Sequence, residues 1–348
     1  MGNYLELKKF SNIDLSDHFF DSLKSDYPDF EDWYHRKANK KAYVLENKGI
    51  QGFLYMKFEK GSILDVNPII KGKNILKIGT FKINPHGTRL GERFIKKAFD
   101  YAVSNGADKI YVTIFPKHVA LIKILKTYGF KFYGTKTSAA GNEDVYIKNL
   151  RKITDDLVSD YPLFSTRNKD KYILSIYPKY HSKLFPDSIL NNESFDILED
   201  QSHTNSIHKV YVCKMPQASS LKPGDLIVIY RTGDDKAPAE YRSVATSICV
   251  VEDVKSNTDF HDFESYYAFS NHYSIFDKST LKTFYEHRKS YIIKMTYNAA
   301  FSKRLTRKTL ADNCGLNRAE RWSLMRLTGQ QFDRILERGQ INESIIID

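Results

Sequence analysis

Cysteine, tryptophan and the chain-breaking residues are scarce in this chain: 348 residues hold three Cys, two Trp, 10 Pro and 17 Gly. Cys213, Cys249 and Cys314 are too few and too scattered for a disulfide framework, and no Cys-x-x-Cys pair is present to hold zinc, so a reducing compartment and no metal are expected. Little Pro and Gly excludes a fibrous repeat, and 41% hydrophobic with 27% charged residues excludes global disorder. No apolar run approaches ~18 residues, and the amino terminus has neither a basic nor an apolar leader region, so no membrane span or signal peptide is expected. Met1-Gly2 opens as a myristoylation signal does, but Glu6 stands where Ser or Thr is required. Cytoplasmic residence follows as the expectation. Gly-x-Ser-x-Gly, a Walker loop and His-Glu-x-x-His are also missing, which sets aside the common hydrolase, nucleotidase and metalloprotease chemistries.

What is present is positive charge and aromatic surface. Lys and Arg outnumber Asp and Glu by 53 to 42, and the chain carries 23 Tyr and 22 Phe. Residues 1–150 hold 25 basic and 16 acidic side chains, against 28 and 26 in 151–348, and within 51–150 the ratio is 17 to 7. That stretch is expected to present a positive field to an anionic ligand such as a phosphate. A second excess lies in 301–340, where nine basic residues, Arg307, Arg318 and Arg321 among them, face four acids.

The length suits two domains. Patterning predicts strands near Tyr4–Lys8, Ala42–Glu46 and Gly52–Phe58, helices over Phe19–Leu23 and Phe30–Lys41, and a strand over Leu76–Asn84. In that last strand Leu76 and Ile78 alternate, then Phe81 and Ile83 resume one residue out of step, which is how a β-bulge reads in sequence. A turn through His86-Gly87 leads into an amphipathic helix with Phe94, Ile95, Ala98, Phe99 and Ala102 on one face, followed by a strand at Ile110–Phe115, a helix from His118 and a last strand at Asp144–Ile147. A bulged strand, a glycine-bearing turn and a helix N-terminus make a physical recipe for holding a pyrophosphate. Beyond 170 the expected pattern is short strands (Lys171–Ile176, Val210–Cys213, Leu226–Tyr230, Val244–Val251, Tyr291–Met295), with helices at Glu320–Leu327 and Gln330–Arg338.

On these residues, 1–150 resembles the GNAT acetyltransferases. The matching pieces are Leu76–Asn84, His86–Glu92, Ile110–Phe115 and His118–Phe130, the last ending in Tyr128-Gly129-Phe130. The common phosphate-loop pattern has its three marked positions at His86, Arg89 and Gly91, of which only Gly91 agrees; a subgroup with Arg-Gly-x-x-x-Gly-Glu is closer, with His86 in place of Arg. The resemblance implies an α/β (α+β) fold with a mixed, bulged central sheet. It also implies acetyl-CoA as co-substrate, held by Phe81, Lys82, Ile83, His86, Gly87, Thr88, Arg89, Leu90, Gly91 and Glu92. The Tyr that the family often uses as acid on the second helix is Leu125 here, leaving Tyr128, Tyr133 and Tyr146 as nearby substitutes, with Tyr128 and Tyr146 the acid candidates. The base stays open among His86, His118 and a water relay.

Residues 170–348 resemble the PUA-like superfamily, in particular its ASCH and EVE branches, through Leu174-Ser175-Ile176-x-Pro178-x-Tyr180 and the Lys222–Tyr230 turn and strand. The Gly-x-Lys-x-x-Glu-x-Arg signature of ASCH domains is absent from 181–194, so hydrolysis is not expected. The resemblance implies a small β-barrel with helical additions, a linker over 151–169, and recognition of RNA by Tyr230, Arg231, Arg242, Arg321 and Trp322. Three functions remain: acetyl transfer to an amine on RNA or an RNA-bound acceptor, acetyl transfer to a protein or small molecule with the barrel structural, and a regulator that binds CoA or nucleic acid without transfer.

Overall fold

The computed structural model describes residues 5–84, 89–186, 206–233 and 238–348. Its contacts divide the chain into one unit of 1–154 with 158–160 and a second of 155–157 with 161–348.

The first unit is built on a seven-stranded sheet. Its elements are β1 (Glu6–Lys9), α1 (Asp21–Asp26), α2 (Phe30–His35), β2 (Lys41–Glu46), β3 (Ile50–Lys60), β4 (Asn74–Ile83), α3 (Leu90–Ser104), β5 (Lys109–Ile114), α4 (Val119–Thr127), β6 (Lys131–Ser138) and β7 (Gly141–Asn149). The strand order is β1-β2-β3-β4-β5-β7-β6, antiparallel throughout except that β4 and β5 run parallel. α3 joins that parallel pair and buries Phe94, Ile95, Ala98, Phe99 and Ala102, the face its spacing predicts.

β4 is where the sheet opens. It pairs with β3 from Asn74 to Ile83, but Tyr55 faces Thr80 and Met56 faces Ile78, which leaves Gly79 as the extra residue of a bulge. On its other side β4 pairs with β5 only over Ile75–Ile78. β5 continues to Ile114 against β7, so the two strands part immediately after the bulge. Among the described residues no strand pairs with Gly79–Ile83 on that side.

The second unit holds a six-stranded sheet in the order β13-β8-β10-β11-β12-β9. After a short helix α5 (Leu157–Asp160) at the passage between units come β8 (Lys171–Ile176), α6 (Pro178–Leu184), β9 (His208–Cys213), β10 (Leu226–Arg231), α7 (Ala239–Arg242) and β11 (Val244–Ser256). These are followed by α8 (Phe263–Ser270), α9 (Lys278–Tyr285), β12 (Tyr291–Thr306), α10 (Arg307–Cys314), β13 (Leu324–Leu327) and α11 (Gly329–Gly339). β8 and β10 are parallel and the other pairs antiparallel. Leu174, Ile176, Ile227, Ile229, Val210, Val212 and Ile292 pack on one face as the core.

The structure departs from the expected barrel and from one expected helix. Among the described residues the ladder is open, with β13 paired only to β8 and β9 only to β12, so no closed barrel is present. Glu320–Leu327 is not a helix: Leu324–Leu327 pairs with β8, from Leu324 opposite Leu174 to Leu327 opposite Lys171. Leu, Met, Arg and Glu favour a helix locally, but the sheet edge offers that segment a backbone partner, and tertiary pairing overrides propensity. Within the stretch expected as a linker, Tyr161, Leu163 and Phe164 are buried. Phe164 donates to Ile345 and accepts from Ile347 at 3.0 and 2.9 Å. Among the described residues no helix is long and apolar enough to cross a membrane.

Candidate functional site

Among the described residues β4 has no strand neighbour on its β5 side beyond Ile78, and alternate N–H and C=O groups of a strand without a neighbour on one side have no ladder partner. The side chains around it sort by face. Phe81 lies against Phe94 of α3, ring centroids 5.8 Å apart, and Ile83 reaches Gly91, where an added Cβ would stand 3.1 Å from Ile83 Cδ1 and 2.8 Å from Ile124 Cδ1. Gly91 is thus buried at the junction of α3, α4 and β4. Lys82 points the other way. Its ammonium donates to the Phe19 carbonyl and, at 2.6 Å, to Ser22 Oγ, while burial lowers its pKa. Its side chain therefore ties β4 to Phe19 and to the first turn of α1.

His86, Gly87 and Thr88 lie outside the described residues. Arg89 follows as the N-cap of α3, in the left-handed region with φ 55° and ψ 29°, and its own side chain makes no capping hydrogen bond. The first-turn N–H groups at Leu90, Gly91 and Glu92 have no intrahelical acceptor. With the helix dipole they suit an anion such as a diphosphate.

A second cluster closes the same end of the sheet. Tyr27, just after α1, packs against Phe115 with centroids 5.2 Å apart and rings tilted by 34°, and donates to buried Glu143 at 2.8 Å. Burial and the Glu143 charge push its phenol well above the usual range. Asp26 accepts from Lys117 and stands 3.2 Å from His118 Nε2. Of the catalytic candidates, His118 is thus a half-exposed imidazole oriented by a carboxylate. Tyr146 is buried on β7, edge-on to Phe132 at 5.9 Å with Lys126 over its ring; burial and the neighbouring Asp144 raise its pKa, so it keeps its proton at neutral pH. Tyr128 is buried at the C-cap of α4 and its carbonyl accepts from Lys148 at 3.0 Å. Leu125 is fully buried. Asp26, Tyr27 and Glu143 carried no sequence signal, because nothing in their spacing relates them to His118.

A cavity of about 510 Å³ lies over the Phe10–Leu15 turn beside Tyr34 and His35. None of its lining residues belongs to β4, β5 or α3.

In the second unit the expected RNA-contacting residues separate. Tyr230 and Trp322 line one cavity of about 290 Å³ with Ser175, Tyr177, Thr232 and Arg307. Trp322 is buried, with its indole N–H donating to Asn317 at 2.8 Å and the Arg307 guanidinium 4.0 Å above its ring, so it is a wall and not a surface platform. Arg231 is buried next to Arg242, whose carbonyl it approaches at 3.5 Å, and contributes to the field that, after burial, pushes His181 down to about 3. Arg321 is exposed. Tyr177 and Arg307 were not among the expected residues, although Arg307 belongs to the basic excess of 301–340.

No protein-family model matches the chain, and no curated protein matches it. Among solved structures it is similar to ASCH from Zymomonas mobilis, at 10% identity over 48% of this chain and 94% of that one with a TM-score of 0.32. It is similar to Chaetomium thermophilum Naa20 in complex with a bisubstrate analogue, at 15% identity over 42% of this chain and 86% of that one with a TM-score of 0.31. It is also similar to IAA acetyltransferase from Bacillus cereus ATCC 14579, at 14% identity over 42% of this chain and 98% of that one with a TM-score of 0.32.

Proposed function

We propose that the chain is an acetyl-CoA-dependent N-acetyltransferase whose acceptor is an amine on RNA or on something bound to RNA. The observation that carries the reading is the parting of β4 from β5 directly after the Gly79 bulge. It leaves strand backbone to receive an extended amide-bearing chain on one side, with the N-terminus of α3 following β4 for phosphates.

Acetyl-CoA, when bound, supplies a thioester carbonyl carbon to the attacking amine. The chain's own part is to polarise that carbonyl with backbone N–H from the unpaired stretch of β4, to take a proton from the amine, and to leave the thiol free to depart. His118, held by Asp26, is the proton acceptor in this reading, and Tyr146, once turned from Asp144, the acid for the leaving sulfur. A thiol with a free pKa of ~8.5 departs without a strong acid, which is compatible with Leu125 in place of a second-helix Tyr.

The RNA part of the reading draws its support from the second unit, where an aromatic-lined cavity lies beside the basic run of 301–340. A CoA-binding regulator without transfer is the second reading, and buried Leu125 favours it. Release of free CoA thiol from acetyl-CoA on addition of RNA separates the two: release supports transfer, and CoA binding without release favours the regulator.

A further inference from the structure

One face of the first sheet crowds charge where β4 and β5 are still paired. Lys77 of β4 stands opposite Lys57 of β3 and Tyr111 of β5, and its ammonium lies 5.3 Å from the centre of the Tyr111 ring. Two carboxylates are near, and each already has a cation of its own. Glu59 is held by Lys57 and by the Tyr111 hydroxyl, and Asp65 by Lys136 of β6. Lys77 itself makes no ion pair among the described residues. Burial is the first cause that lowers its pKa; the charges of Lys136 and Lys57 lower it further, against the pull of Glu59 and Asp65. An amine in that state is a better nucleophile than a solvated lysine, because its lone pair is free for a larger share of the time. Lys82, on the same strand, is the contrast: its ammonium is engaged as a donor to Phe19 and Ser22.

Lys77 also stands at the root of the opening. Lys77 with Tyr111 is the rung before Ile78 with Val112, the last one before β4 and β5 part, and Gly79 of the bulge follows. At about 3.3 Å of rise per residue, Lys77 starts about 7 Å along the strand from the bulge, a distance that a flexible four-carbon stem spans. The side chain is only partly buried, so a reagent can reach it.

We propose that Lys77 is a self-acetylation site, taking an acetyl group from the thioester bound at the opening between β4 and β5. The proposal rests on the acetyl-CoA reading of the first unit. The unprotonated nitrogen attacks the thioester carbonyl carbon, the C–N bond forms as the C–S bond breaks, and the departing CoA thiolate takes the proton that the nitrogen sheds. The products are an amide and free CoA thiol, with no further reactant. The amide is uncharged, so the modification removes one of three crowded cations, Lys57, Lys77 and Lys136, from this face.

The test incubates the full chain with acetyl-CoA and, in parallel, with S-acetyl-N-acetylcysteamine, an acetyl thioester without the nucleotide, at equal concentration. Each lysine is followed by peptide mass mapping, and CoA binding is measured on the same preparation by calorimetry. Lys77 is expected to be labelled ahead of the exposed Lys60 and Lys73. Its labelling by acetyl-CoA is expected to be at least about tenfold faster than by the short thioester, since binding turns an encounter into a reaction within the complex. Lys77→Arg keeps the charge and is expected to lose that label with its unfolding temperature held; the wild-type map decides without the variant. Equal rates with the two thioesters, or labelling of Lys60 and Lys73 as fast as Lys77, overturn delivery from the opening. CoA binding with Lys77 unlabelled overturns the proposal and leaves acetyl transfer to an external amine standing; no CoA binding overturns the acetyl-CoA reading as well.

Discussion

Arg89 holds a backbone conformation that its side chain disfavours. Its φ of 55° is in the left-handed region, the position that the family resembled fills with glycine. The sequence showed the substitution; it could not show that the backbone kept the glycine geometry. Replacing Arg89 by Gly and by Ala separates backbone from side chain, because both variants lose the guanidinium and only Gly relieves the strain. Arg89→Gly is expected to be more stable than Arg89→Ala by about 1 kcal/mol in urea unfolding, and equal stabilities would contradict the strain. His181 makes a pH statement at the same scale. Burial first, then the charges of Arg231 and Arg304, pushes it down to about 3, while Nε2 lies 2.9 Å from Thr246 Oγ1. Its folded pKa lies below the unfolded value of about 6.5, so the unfolded chain takes up the proton first. Stability from this residue is complete above pH ~6.5 and falls as pH drops toward 3, by about 1.4 kcal/mol per unit. His181→Phe is expected to flatten the dependence of urea unfolding between pH 6 and 4; an unchanged slope would place the proton uptake elsewhere.

At the scale of elements, local pattern was readable and partnership was not. The slip at Gly79-Thr80 disclosed the bulge because strand side chains alternate with period two. The divergence of β4 from β5 depends on which strands lie beside them, and no local spacing records that. β6 escaped notice for a related reason: most of its residues are at least partly exposed, so no apolar alternation marks it. The approach of α4 to the chain near 159 is another non-local feature, and Gly129 makes it possible. With φ 81°, and with an added Cβ placed 2.1 Å from the Ser159 carbonyl oxygen, this position admits no side chain. Gly129→Ala is expected to cost the first unit at least about 2 kcal/mol by thermal or urea unfolding, since the obstructing atom is backbone and cannot swing aside. Near-wild-type stability would mean that 157–160 packs differently in solution.

The whole molecule joins a basic unit, whose sheet parts after the Gly79 bulge, to a second unit with a small cavity lined by Tyr177, Tyr230, Arg307 and Trp322. The division of charge, 25 basic against 16 acidic side chains in residues 1–150, was visible in the sequence and agrees with an anionic co-substrate there. The assembly of His118 with Asp26, and of Tyr177 with Arg307 and Trp322, was not, because each set joins residues far apart in the chain. The function proposed for the chain is transfer of an acetyl group to an RNA-borne amine. Its most direct measurement is incubation of the full chain with acetyl-labelled acetyl-CoA and a cell extract, followed by separation of RNA, protein and small metabolites. Label is expected in the RNA fraction, with free CoA released in equal amount. Label confined to protein or metabolites would contradict the RNA acceptor, and no label in any fraction while CoA still binds would contradict transfer itself.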